Sequence, residues 1–284
     1  MTKSIFLAGW EVNLNGDQQC ENFIATQITN KATVEKLYIG IELVFENDKL
    51  IKAYDYKKGS RKERKLKADE LGLDYKRFEE NKILQLVEDE DGIHQLGGEI
   101  PIGFQLPENN CVVPFQYLGF IDNNDKNFNW LPFRVNLTCP IYLSIGNVFL
   151  DYYSPNKPTI INRKDVEDAD ILYEDGLNLD RNSEIVFNEM RFSFVEQEEF
   201  SETGHSGLPN WIQYPEIPMC PKSGKRMKFL CQLNRGVTVK RTNVQPSDEW
   251  YRHYCEELNF WGDGDLFVFF EPTSKVACYF IQNT

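Results

Sequence analysis

One feature limits what this chain can fold into more than any other: it states the same pattern twice. From residue 96 it reads LGGEIPIGFQLP, then a Cys, then PFQYLGFID; from residue 206 it reads SGLPNWIQYP, then a Cys, then RMKFLCQLN. Gly98 and Gly207 open the copies. Pro101 answers Pro209, Gln105 answers Gln213, Pro107 answers Pro215, Cys111 answers Cys220, and Tyr117-Leu118 answers Phe229-Leu230. Each copy then reaches an aromatic strand behind a glycine turn, Gly146–Leu150 in the first and Gly264–Val268 in the second. Two copies are too few for a solenoid, which needs about three. They imply one domain of two similar halves, whose junction is the natural place for a cleft.

The surrounding pattern is that of strands. Leu37, Ile39, Ile41, Leu43 and Phe45 alternate with polar neighbours, and Glu46-Asn47-Asp48 turns the chain into Leu50–Tyr56, so residues 34–56 read as a hairpin. Residues 74–88 read as a helix capped by Asp74, and a second short helix is expected near 163–173. Ile185–Phe194 reads as one strand. Pro246-Ser247-Asp248-Glu249 opens a helix with Trp250, Tyr254 and Leu258 on one face, and Leu266–Phe270 reads as a strand buried on both faces. The expected class is α+β, β-rich: a single domain with internal duplication of a β-rich half-motif and a few short helices. Residues 1–93 form an N-terminal hairpin-plus-helix region and residues 94–284 the duplicated part, with no linker between them.

Composition narrows the function. The 284 residues are 41% apolar and 13% aromatic, enough for a large core and in favour of strands. No apolar run reaches the roughly 18 residues of a membrane span, and no secretory leader is legible. Seven cysteines, odd in number and irregularly spaced, read as free thiols of a reducing compartment, so the cytoplasm is the expected location. A formal charge of −13 repels phosphate backbones and disfavours nucleic acid. The acids crowd residues 165–202, an arrangement that attracts a basic polypeptide, while Lys57–Lys67 forms a basic run read as a solvated surface.

Three segments resemble the bacterial YwqG-like family, whose TYPP domain is distantly related to the programmed-cell-death-protein-2 family. They are Gly97–Pro101 with Pro114–Asp122, Gly207–Gln213 with Phe229–Leu233, and Trp261–Phe270 with a final Gln282. The resemblance implies a β-rich, internally duplicated fold without established catalysis, and a protein-binding role of the chaperone or immunity-protein kind. Its client would be a basic toxin or another basic protein. Where relatives have a CPxCG knuckle, this chain reads Cys220-Pro221-Lys222-Ser223-Gly224, with serine in the second cysteine's place.

Candidate chemistry is sparse. Cys220, Cys231, His253 and Cys255 lack the tight pairs from which structural zinc sites are built, so neither metal nor cofactor is expected. A hydrolase would have to use His205 beside Ser206, or His253 beside Cys255, without any nucleophile-elbow signature. Asp263 and Asp265 flank Gly264 and read as a turn, or alternatively as ligands of a hard cation in a metal-dependent binding module. The binding set expected instead is aromatic and amide-bearing: Trp130, Trp211, Gln213, Tyr214, Gln232 and Trp261, with Asp263 and Asp265. Loop tryptophans and tyrosines bring large apolar area with few rotors to freeze. A glutamine in an apolar strand either satisfies buried backbone or reads a peptide main chain.

Overall fold

The structure is a computed structural model that describes residues 1–8, 14, 27–29, 31, 39–57, 60–75, 83–142, 146–171, 176–213, 216–260 and 264–283. It is β-rich and its sheets are antiparallel. Strands β1 (Thr2–Ala8), β2 (Gln27–Thr29), β3 (Ile39–Glu46), β4 (Lys49–Lys57) and β5 (Ser60–Arg64) form a first sheet in the order β2-β1-β3-β4-β5. The period-two pattern drives it: Ile41, Leu43 and Phe45 point into a core shared with Ile5, Leu7, Leu50 and Ala53. Asn47 and Asp48 make the β3–β4 turn with φ of 50° and 59°, the left-handed pair that matches strand twist in a two-residue hairpin. Part of the basic run becomes the edge strand β5, whose charged side chains discourage pairing with another chain.

Next come β6 (Ile83–Glu88), β7 (His94–Leu96), β8 (Gln116–Ile121), β9 (Val135–Cys139), β10 (Val148–Asp151), β11 (Thr159–Ile160), helix α1 (Arg163–Ile171), β12 (Ile185–Phe187), β13 (Met190–Gln197), β14 (Gly204–Ser206), β15 (Lys228–Leu233), β16 (Val239–Thr242), a 3-10 helix (Glu249–Cys255), β17 (Asp265–Glu271) and β18 (Val276–Gln282). Eleven strands make one sheet in the order β11-β10-β18-β17-β15-β14-β6-β13-β7-β8-β9, and β12 pairs with β16 separately. Several expectations are corrected. The large sheet begins at residue 83, not 94, because β6 is bonded to both β13 and β14. For the same reason 83–88 is strand where a helix was expected; residues 76–82 lie outside the described ones. Ile185–Phe194 is broken at Asn188, whose N–H turns away to the Thr238 carbonyl at 2.8 Å. The turn after Asp248 is a 3-10 helix instead of an α-helix.

The sheet is built alike on either side of the central β6–β13 pair. Phe192 faces Glu88 and Phe194 faces Leu86 across that pair. Outward on one side, Gln95 faces Phe120, and β8 is irregular against β9 between Tyr117 and Gly119. Outward on the other, His205 faces Gln232, and β15 is irregular against β17 between Phe229 and Cys231. By this register Gly207 corresponds to Gly97, one residue before the glycine that sequence alignment selects. The match expected between 146–150 and 264–268 fails. The strand beside β8 is β9, and β10 pairs with β18 near the far end of the sheet.

One face of the sheet carries the main core, to which Leu266, Val268 and Phe270 contribute. On the opposite face Phe267 and Phe269 join Phe280, Cys220 and Met227 in a second cluster. Strand β17 is therefore buried on both sides, as its unbroken apolar run requires. Among the described residues no helix is long and apolar enough to cross a membrane.

Candidate functional site

Directly opposed residues of an antiparallel pair share a face, so β14, β15 and β17 align His205, Gln232 and Phe267, with Asp265 two positions from Phe267. Gln232 is buried, and its amide is fully used. Its Oε1 accepts from the Asn210 N–H at 2.8 Å, while its Nε2 donates to the Asn210 carbonyl at 3.0 Å and to Asp265 Oδ2 at 2.5 Å. Gln282 Oε1 likewise accepts from the Ile212 and Gln213 N–H groups at 3.1 and 3.2 Å. Both glutamines thus sew the 210–213 segment to the sheet. Burial pushes the Asp265 carboxyl up to about 6, against the pull of its Gln232 bond.

The expected aromatic anchors turn inward. Trp211 is half-buried and stacks on Phe267 at 5.0 Å between ring centres and on Phe280 at 6.5 Å. Trp130 packs against the main core on the other face, donates its indole N–H to the Asn127 carbonyl at 3.0 Å, and is capped by the Lys228 ammonium at 4.1 Å. The two tryptophans therefore do not converge. The Gln213 side chain is exposed. Tyr214, Trp261 and Asp263 lie outside the described residues.

The histidines divide the same way. His94 is enclosed by Phe128, Phe192 and Phe194. Its Nδ1 accepts from the Asp122 N–H at 3.0 Å, so Nε2 carries the proton and donates to Asp125 Oδ2 at 3.1 Å. Burial lowers its pKa against the attraction of Asp125. His205 is packed against Phe200 at 4.6 Å, neither ring nitrogen meets a described partner, and burial pushes its pKa down to about 3. The two histidines therefore differ: His94 is bonded through both ring nitrogens, and His205 through neither to a described residue. Ser206 points to the opposite face from His205 and donates to the Leu230 carbonyl at 2.6 Å, so the two are not a nucleophile and its base. His253 is exposed on the 3-10 helix against Tyr254.

Cys220 and Cys231 sit on opposite faces of the sheet and cannot share an ion. Among the described residues no three His, Cys, Asp or Glu side chains are grouped to hold a metal. In the Cys220–Gly224 turn, burial acts to raise the Cys220 thiol, but bonds from Ser223, Ser274 and the backbone outweigh it and leave the thiol below its ordinary value. Serine in the second cysteine's place thus supports the turn itself.

Two clefts were not legible in the sequence, because their walls come from strands far apart in the chain. One, of about 540 Å³, lies beside the β6–β13 pair and is lined by Gln85 and Glu196–Glu199. Gln85 closes its wall by donating to the Glu199 carbonyl at 2.7 Å. Glu198 and Glu199 are exposed and form no ion pair with a described residue. The second, of about 510 Å³, includes Gln95, Phe120, Arg134, Glu189 and Arg191 in its lining. No protein-family model, no curated protein and no solved structure matches the chain.

Proposed function

We propose that the chain is a YwqG-like, non-catalytic protein-binding module of the immunity-protein or dedicated-chaperone kind. On this reading the large sheet is two interleaved copies of one half-motif, and a basic polypeptide partner docks where they meet. The observation that carries it is the acid-lined cleft beside β6–β13. Its unpaired Glu198 and Glu199 belong to a chain of charge −13, so a cationic segment approaching it is steered by the whole molecule as well as by the rim. Matching irregularities at Tyr117–Gly119 and Phe229–Cys231 support the two-copy reading, because bulges tend to persist within a family of strands. The resemblance of Gly97–Pro101, Gly207–Gln213 and Trp261–Phe270 to the family points the same way.

Affinity capture from the native host at low and at moderate salt tests the proposal. One stoichiometric basic partner is expected, held several-fold more weakly at the higher salt and by the Glu198→Gln/Glu199→Gln variant. A capture that returns nothing at either salt, or a partner indifferent to the double substitution, rejects it.

A further inference from the structure

The two sides of the sheet pair alike, yet their outer faces are finished differently. On the second side the main-chain N–H and C=O of one residue, Asn210, satisfy both ends of the Gln232 amide. That position is closed by the chain itself. On the first side Phe120 stands in the place of Gln232, opposite Gln95 as Gln232 is opposite His205. A phenyl ring offers no hydrogen bond to a main chain, and none is bound there among the described residues. Phe120 instead floors the cleft of about 510 Å³, with the Arg134 and Arg191 guanidinium carbons 4.2 and 5.5 Å from its ring centre. The segment corresponding to Asn210 stands outward: Ile100 is 42% exposed and Ile102 fully so.

The charges in this cleft do not close. Arg134 is committed through Nε and Nη2 to Asp122 Oδ2, at 2.8 and 2.5 Å, which leaves its Nη1. Arg191 donates only to neutral acceptors, the Gly92 carbonyl at 3.0 Å and Gln95 Oε1 at 3.3 Å, and forms no ion pair with a described carboxylate. A half-buried guanidinium without a counter-charge is costly to leave so, and its fork suits a carboxylate. Arg134 is matched by Asp122 and Lys240 by Glu99, so Arg191 is the lining cation with no counter-charge among the described residues. That balance suits a monoanion; a phosphate dianion would be repelled by Glu99 and Glu189. Pro101 lines the cleft, and its chain neighbours Ile100 and Ile102 are exposed apolar side chains.

We infer that this cleft binds the C-terminal carboxylate of a polypeptide, forked by Arg191 and the remaining Arg134 nitrogen above Phe120, with an apolar last side chain against Ile100, Pro101 and Ile102. The inference rests on the two-copy reading of the sheet, since the second copy's own peptide occupies the matching place. It uses none of the residues of the acidic cleft, so the two fail separately.

The test is retention, by the immobilised full-length protein, of a random octapeptide pool ending in leucine. One pool has a free C-terminus and the other is amidated. The free-acid pool is expected to be retained on the order of tenfold more, as one charge-assisted forked contact allows. Arg191→Gln should abolish the preference and Arg191→Lys should weaken it, because an ammonium lacks the fork. Ile102→Asp, at a fully exposed position that folding does not use, should cut retention with an unchanged melting curve, while Glu198→Gln/Glu199→Gln leaves it intact. Equal retention of both pools, or of neither, overturns the inference, as does a preference that survives Arg191→Gln. N-acetylleucine binding as tightly as the peptides would overturn the polypeptide assignment in favour of a small organic acid.

Discussion

His205 lies opposite Gln232 in the sheet, Asp265 is bonded to Gln232, and burial pushes both titratable groups toward their neutral forms. The consequences for stability have opposite signs. His205 takes its proton near 6.5 in the unfolded chain but only at about 3 in the folded one, so the stability tied to its neutral ring is complete above pH 6.5 and drains as pH falls toward 3. His94, also lowered, adds in the same direction. Asp265 rises from 3.8 to about 6, so the cost of holding it ionised is present above about pH 6 and is relieved as pH falls through that value. Between about pH 4 and 6 the two trends oppose each other. Asp265→Asn should therefore stabilise the protein at pH 7.5 by about 1–3 kcal/mol and expose a steeper acid loss. His205→Leu should flatten the acid limb and cost little at pH 7.5, since no hydrogen bond to a described residue is lost. Urea midpoints at pH 5 and 7.5 check both; a His205→Leu variant as acid-sensitive as its parent would contradict the second. The glutamine's two possible tasks were legible in the sequence. Which peptide it reads was not, because Asn210 reaches Gln232 only once β14 and β15 are paired.

Elements set by neighbouring residues were legible, and those set by distant partners were not. The β3–β4 hairpin follows from alternation and an Asn-Asp turn, both local. By contrast, 83–88 satisfies helical and strand patterns alike, and the choice falls to β13, which lies more than a hundred positions away. Gly119 shows how tightly such pairing is fixed. It has φ +115°, and a Cβ there would stand 2.0 Å from the Gln95 carbonyl oxygen in the adjoining strand. Gly119→Ala should cost about 3 kcal/mol or more, from strain and from separation of β7 and β8. Gly103→Ala is the control: its φ is +87° but nothing lies within 4 Å, so only about 1 kcal/mol of backbone strain is expected. Equal urea midpoints for the two variants would contradict this account. Gly207, with φ +81°, is likewise placed in a turn that a β-branched residue such as valine would strain.

At the scale of the molecule the chain carries separate cores, one built wholly from residues 5–75 and the others from residues 84–281. The sequence shows no linker between them, and the boundary becomes visible only when β6 joins the large sheet. A fragment spanning 83–284 should fold alone with a cooperative melt, since about 200 residues bury enough surface to be self-sufficient; a molten fragment would show that the first sheet is required. The large sheet cannot be divided again in that manner. β6 is laddered to β13 and β14, and β13 to β6 and β7, so the two sides of the sheet are stitched together by strands from both. On the two-copy reading, a single-length ancestor had nowhere to put its first strand except in a twin. It would have existed as an exchanged dimer, folded only as far as its concentration allowed. On the same reading, fusion of the two genes would have made that encounter intramolecular and left the sides free to diverge, one filled by its own Asn210 main chain and the other leaving a cleft.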